Sequence, residues 1–266
     1  MGDDGSKKKT CNHIILVHGA SHGAWCWYKL STLLTSAGYR VTVPDLAAAG
    51  IDERRLEDVL TFADYSKPLL EIVVSLPADE RVMLVGHSFG GMSIALAAEM
   101  FPEKVAAAVF LTAFLPDCTA PPSFVIDKLF EVPISVWMDT QFKTYTAEEK
   151  RPASVLFGPQ FLESRLYQLS PPEDITLAKT LIRITSLFLD DLRSRPPFTA
   201  DRYGSVDKVF IVCEQDFTIP EQHQRWMIEN YPVKEVKSIE AVDHMAMVSK
   251  PKELCQCLME IASKYS

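Results

Sequence analysis

The segment that most restricts this chain is Gly86-His87-Ser88-Phe89-Gly90-Gly91, which follows the apolar run Val82-Met83-Leu84-Val85 and precedes the helix-like stretch Met92 to Met100. In that setting a Gly-x-Ser-x-Gly pattern makes a sharp strand-to-helix turn that lifts the serine hydroxyl above a sheet, with small residues where the backbone crowds. The helix that starts there directs its amide dipoles at negative charge developing beside the serine. The same five-residue pattern also arises by chance in glycine-rich turns. The strand before it and the helix after it make Ser88 a candidate nucleophile.

Around this segment, short β-branched or apolar runs recur: Ile14 to Val17, Val41 to Val43, Val82 to Val85, Val105 to Leu111, Val209 to Val212 and Val236 to Ile239. Amphipathic stretches separate them, and that alternation predicts an α/β fold on a mostly parallel central sheet flanked by helices. Between the first two runs, Trp27, Leu30 and Leu34 fall at helical spacing within Trp25 to Ala37, and Gly38 is placed to stop the helix. From Pro116 to about Leu189 the rhythm is lost, and prolines, amphipathic patches (Phe124 to Phe130, Phe161 to Leu169, Ile175 to Phe188) and an aromatic link around Trp137 to Tyr145 take over. That stretch is too long for a structureless loop, so it is expected to fold over the sheet as a mainly helical cap. The organisation expected is a disordered tail over 1–10, a core over 11–115 and 189–266, and a cap over 116–188. At 266 residues one catalytic unit suits the length.

A hydroxyl is a weak nucleophile near neutral pH, so Ser88 needs a base within hydrogen-bond reach and a third group that holds the base in the right tautomer. Architectures with such an elbow carry the acid and then the histidine on loops at the carboxyl ends of later strands. After Val209 to Val212 comes Cys213-Glu214-Gln215-Asp216, and after Val236 to Ile239 comes Ala241-Val242-Asp243-His244. Glu214 and Asp243 compete for the acid's role, and Asp216, where the loop turns toward Ile219-Pro220, ranks first. A lone Asp there is ordinarily a turn former; the match with Ser88 and His244 singles it out. His244 has rivals in His13, His18, His22, His87 and His223, the last reading as a surface residue on an amphipathic segment. The loop His18-Gly19-Ala20-Ser21-His22-Gly23 follows the first strand, where such folds take one oxyanion-hole amide, so Ala20 and Phe89 are the expected donors. His18 and His22 read as structural or site-lining residues. No helical i, i+4 ligand pair and no carboxylate motif accompanies them, so no metal is expected.

Composition excludes other classes. The net charge of −8 argues against a nucleic-acid partner, because phosphate binding needs basic patches. No stretch approaches the roughly 20 apolar residues that span a bilayer. The one basic cluster, Lys7-Lys8-Lys9, has no signal-type apolar run behind it, and six cysteines without CxxC pairs fit a reducing compartment. Cytosol is the expected location.

With these residues in place, the chain resembles the plant methylesterase branch of the α/β-hydrolases, which includes methyl salicylate and polyneuridine aldehyde esterases and related hydroxynitrile lyases. The resemblance runs from Asn12 onward and rests on His18 to Trp25, Asp45-Leu46-Ala47-Ala48-Ala49-Gly50-Ile51, the Gly86 to Gly91 elbow, Arg202-Tyr203-Gly204-Ser205-Val206 and Asp243-His244-Met245-Ala246-Met247. It implies an α/β-hydrolase fold, the triad Ser88, Asp216 and His244, and oxyanion amides at Ala20 and Phe89. It also implies a helical cap with Phe114, Trp137, Leu187 and Met245 near the substrate, beside Gly19 and His22 from the first loop. A small-molecule ester, no cofactor, a homodimer and a cytoplasmic location follow from the same resemblance.

Three positions separate esterases from lyases on this fold. The rubber-tree type of lyase has threonine in place of Gly19, glutamate in place of His87 and a lysine for departing cyanide in place of Met245, which supplies only apolar surface. A second lyase subgroup has asparagine in place of Gly19. The expected function is hydrolysis of methyl esters of small plant metabolites or hormones, with a hydroxynitrile lyase or a ligand receptor with residual hydrolase activity as alternatives. Because His244 must be neutral to act as base, activity is expected to fall as pH drops through roughly 6 to 7.

Overall fold

Residues 12–145 and 151–265 are described by the structure, a computed structural model. The expected tail over 1–10, with its lysine cluster, lies outside them. Eight strands are present among the described residues: β1 (His13–Val17), β2 (Arg40–Thr42), β3 (Val82–His87), β4 (Val105–Leu111), β5 (Gln141–Lys143), β6 (Ser154–Leu156), β7 (Lys208–Cys213) and β8 (Glu235–Ile239). Six of them form one sheet in the order β2-β1-β3-β4-β7-β8, and every pairing is parallel. Strands β1, β3, β4 and β7 are buried at every position, as continuous apolar runs must be when helices cover both faces. At the edge, β8 alternates half-buried with exposed residues and ends on buried Ile239.

The helices, in chain order, are α1 (Tyr28–Ser36), α2 (Phe62–Ser75), α3 (Gly90–Met100), α4 (Phe124–Leu129), α5 (Pro159–Phe161), α6 (Pro172–Leu181), α7 (Leu189–Ser194), α8 (Glu221–Asn230), α9 (Ala246–Ser249) and α10 (Pro251–Ala262). The stretch expected as one helix over Trp25 to Ala37 begins as a 3₁₀ turn, Ala24–Trp27, and then runs on as α1. Gly38, at φ +93°, ends it in the left-handed conformation that only glycine takes at no steric cost. Helix α10 buries Leu254, Leu258 and Ile261 on one stripe, the spacing of an amphipathic helix laid on a core. No helix among the described residues is long and apolar enough to cross a membrane.

Strand order reverses between β1 and β3, the first heading outward toward β2 and the second toward β4. Crevices for ligands form at such a switch point, outside the carboxyl ends of the strands. The loop after β1 and the elbow after β3 therefore lie side by side.

Between β4 and β7 the chain leaves the sheet. It forms α4, a 3₁₀ turn at Ile134–Trp137, the antiparallel hairpin β5–β6, α5 continuing into a π-helical turn at Leu162–Leu166, then α6 and α7. Helices do predominate, but the hairpin departs from the expected pattern. Its strands have three residues each, too short for a period-two signal, and Gln141-Phe142-Lys143 offers one apolar side chain. The patch Ile175 to Phe188 is helical only to Leu181. Beyond it the β-branched residues Ile182, Ile184 and Thr185 run extended, and Thr185 bridges Val155 of the hairpin.

Candidate active site

Ser88 stands at the end of β3 with φ +54°, a conformation uncommon outside glycine and worth about 1–3 kcal/mol of local strain. The turn is possible because its neighbours lack side chains. A Cβ on Gly90 would lie 2.5 Å from the Val17 carbonyl oxygen, and one on Gly91 2.4 Å from that of Phe114. The Ser88 carbonyl accepts from the Phe114 and Gly91 amides, both at 3.1 Å, which fixes the turn from both sides. Ser88 keeps part of its surface open while His87 and Phe89 are buried.

His244 and Asp216 meet from the loops after β8 and β7. His244 Nδ1 lies 2.6 Å from Asp216 Oδ2, and both side chains are buried. The remaining oxygen, Oδ1, accepts from the Thr218 amide at 2.7 Å and the Ile219 amide at 2.9 Å. Asp243, the rival acid, is occupied elsewhere. Its Oδ1 accepts from the Met245 amide and the Ser249 hydroxyl, and its Oδ2 from the Leu169 amide and the Ser170 hydroxyl. Burial pushes the Asp243 carboxyl up, against those four hydrogen bonds. It ties the loop after β8 to the inserted segment.

Sequence reasoning missed Thr112. Its hydroxyl donates to Asp216 Oδ2 at 2.5 Å, so Thr112 and His244 share one carboxylate oxygen. It is wholly buried just past β4 at φ +36°, a rare conformation for a β-branched residue. Nothing in the run Phe110-Leu111-Thr112-Ala113 marks it; the signal is spatial, since β4 and β7 are neighbours. A hydrogen bond to a charged group contributes about 1.5–3 kcal/mol. Thr112→Val is therefore expected to lower kcat about tenfold at nearly unchanged KM, and Thr112→Ser to restore most of it, as steady-state kinetics will read.

Ala20 and Phe89 line the same space as Ser88, and no backbone hydrogen bond outside the helices and strands is donated by either amide among the described residues. Gly19 explains how close the two loops come: a Cβ there would stand 2.8 Å from Ser88 Cβ and 3.2 Å from His87 Nδ1. His87 Nε2–H donates to the His244 carbonyl at 2.8 Å, and the two rings lie 4.5 Å apart. His223, expected at the surface, is half-buried and bonds the Val125 carbonyl at 3.1 Å, because α8 packs against α4 there.

A narrow chamber of about 30 Å³ lies beside Ser88. Phe114, Trp137 and Leu187 stand in its wall together with Leu129, Phe130, Phe142, Val155 and Phe157, and Thr218 and Ile219, just past Asp216, line it as well. Trp137 stacks on Phe130 at 4.6 Å and meets Phe142 edge-on at 5.8 Å. Gly19, His22 and Met245 were expected to touch the substrate too. Gly19 packs against Ser88, His22 donates to the Ala20 carbonyl, and Met245 is wholly buried after His244.

Burial also sets the charge of the histidines that surround the serine. It holds His22 down to about 3, and it lowers His18 and His87, the last with help from its His244 and His22 neighbours. In the unfolded chain each titrates near 6.5. Below that pH the unfolded state takes up protons that the folded state refuses, so stability is complete above about 6.5 and is lost as pH falls toward 3, at about 1.4 kcal/mol per pH unit for each histidine. Thermal melting between pH 7 and 4.5 should show a steadily falling Tm; a flat profile would contradict these assignments.

A model of the alpha/beta hydrolase family matches residues 14–256. The chain is 51% identical to Salicylic acid-binding protein 2 of Nicotiana tabacum, over 97% of this chain and 100% of the relative, and 50% identical to Methylesterase 1 of Arabidopsis thaliana, over 98% and 99%. A crystal structure of polyneuridine aldehyde esterase superposes with a TM-score of 0.92 at 45% identity, covering 95% of this chain and 99% of that one. Elbow, strand order and near-full-length similarity agree: the chain belongs to the alpha/beta hydrolase family, in its plant methylesterase branch.

Proposed function

We propose that the protein is a serine carboxylesterase that hydrolyses methyl esters of small plant metabolites or hormones. The observation that carries this reading is the serine on a strained elbow, opening on an apolar chamber that Ala20 and Phe89 also line, with a buried His–Asp pair nearby. Ser88 Oγ attacks the ester carbonyl carbon while His244 takes its proton, and the Ala20 and Phe89 amides hold the oxyanion. Collapse breaks the acyl–oxygen bond, and His244 protonates the departing methanol. Water then attacks the acyl-enzyme with the same base, which releases the acid and restores Ser88. Asp216 orients His244 throughout.

An almost wholly apolar wall suits an uncharged acyl group, aromatic or aliphatic. Methyl salicylate, methyl jasmonate, methyl indole-acetate and an alkaloid carbomethoxy ester fit that description. The segment 116–188 acts as the cap over a core made of 11–115 and 189–266, and no cofactor takes part. By likeness to the family, the protein works as a cytoplasmic homodimer, which light scattering on the purified chain tests. The activity is tested by assaying the four esters at one enzyme concentration, with mandelonitrile as a fifth substrate. Turnover of at least one ester without cyanide above the buffer control is expected. Cyanide release would move the assignment to a lyase, and ligand retention without turnover of any ester, to a receptor.

A further inference from the structure

Three consecutive carbonyls in the loop after β1 are each held by a different donor. His18 Nδ1–H donates to the Gly19 carbonyl at 2.8 Å while His18 Nε2 accepts from the Leu46 amide at 3.1 Å. His22 Nδ1–H donates to the Ala20 carbonyl at 2.8 Å, and the Arg183 amide donates to the Ser21 carbonyl at 2.9 Å. The peptide between Gly19 and Ala20 is trans, so its carbonyl and N–H point in opposite directions. With the carbonyl turned into His18, the Ala20 N–H points away from His18, and Ala20 lines the chamber beside Ser88. The loop does not hold this shape by itself, since Ser21 sits at φ +62°.

One of the three holds comes from the cap and a second is backed by it. Arg183 follows α6, and Tyr167, just after the π-helical turn, reaches His22 Nε2 with its hydroxyl at 2.7 Å. The direction of that bond is fixed: a neutral imidazole that gives its one N–H to a carbonyl has only an acceptor at its other nitrogen. Tyr167 is therefore the donor, and burial keeps its hydroxyl protonated. His22 is stacked between Trp25 at 5.2 Å and Tyr167 at 5.9 Å, and His22 and Tyr167 are both buried.

We propose that Tyr167 and His22 are positioning residues that hold the first loop in its oxyanion-binding conformation, so that seating of the cap completes transition-state stabilisation as well as roofing the chamber. The proposal rests on the esterase reading above. It makes a relay from cap to oxyanion: Tyr167 orients His22, His22 holds the Ala20 carbonyl, and the Ala20 amide faces the reacting carbonyl.

Tyr167→Phe keeps the ring and its stacking and removes only the O–H, leaving His22 Nε2 buried without its donor. It is expected to lower kcat about tenfold with KM changed less than about twofold, since the lost interaction acts on the transition state. Its affinity for a trifluoromethyl ketone, whose Ser88 adduct places an oxyanion in the hole, should fall by the same factor. Its affinity for the matching secondary alcohol, which forms no adduct, should stay at the wild-type value. Tyr28→Phe serves as a control, because its hydroxyl also ties the core to the cap, α1 to α6 through Asp174 at 2.6 Å, but bonds no group of the first loop. It should leave kcat and ketone affinity unchanged. His22→Asn keeps a donor where Nδ1 stands and should recover most of the kcat that His22→Ala loses, which provides a second route if Tyr167→Phe does not fold. Wild-type values for Tyr167→Phe, an equal effect of Tyr28→Phe, or a change in KM alone would overturn the relay. A wild-type protein that turns over no ester would instead overturn the esterase reading beneath it.

Discussion

Ser88→Ala is expected to lower kcat for a hydrolysed methyl ester by about a millionfold while leaving ester affinity close to wild type, because removal of a triad serine leaves only the contribution of binding and the oxyanion hole. The effect is read from ester hydrolysis at high enzyme concentration, with binding of the intact ester measured separately. The substitution is conservative for the fold. Ala at φ +54° meets the same backbone penalty as the serine, and the Ser88 carbonyl keeps its two donors from Phe114 and Gly91. Activity retained in Ser88→Ala would end the assignment of Ser88 as nucleophile, whatever the rest of the site looks like.

Asp216→Asn is the second large effect, expected at about 10⁴-fold in kcat. The surroundings dictate why. The Thr218 and Ile219 amides both donate to Oδ1, so the oxygen of an asparagine must occupy that position and its NH₂ must face His244 and Thr112. His244 Nδ1 then has to accept rather than donate, which moves the ring proton to Nε2, the nitrogen that should receive the proton of Ser88. Asp243→Asn makes the contrast. Its four donors hold loops rather than the base, so a Tm lowered by several degrees with kcat within about tenfold of wild type is expected. Equal kcat losses in the two variants would remove the distinction between the acids.

How much of this was legible in the sequence differs from residue to residue. Four of the six sheet strands, β1, β3, β4 and β7, were legible as continuous buried runs and the edge strands β2 and β8 by their β-branched residues, and all six fall within a residue or two of their runs. Ser88 was legible because glycines cluster only where backbones nearly touch. Asp216 was ambiguous against Glu214 and Asp243, since all three sit on loops after strands and only hydrogen-bond partners separate them. Thr112 was invisible: its importance comes from the adjacency of β4 and β7, which spacing along the chain does not report. The hairpin β5–β6 was missed for a different reason, its strands being stabilised by the bridge to Thr185 and by aromatic packing rather than by their own alternation. Gly19, His22 and Met245 were drawn toward the substrate by their place beside the triad. All three are buried beside the triad.

The chamber wall has a consequence for how such a protein can diversify. Leu129, Phe130, Trp137, Phe142, Val155, Phe157 and Leu187 all come from one continuous stretch of chain, whereas Ser88, Asp216 and His244 hang from the sheet. Mutation can therefore resculpt what the chamber admits without disturbing the strands that hold the reacting groups, and ester preference can drift in a lineage at little expense to the folded frame. The exceptions are Tyr167 and Arg183, which lie in the freely varying stretch and yet hold the first loop. They are where the evolvable part of the molecule is anchored to the part that must stay the same.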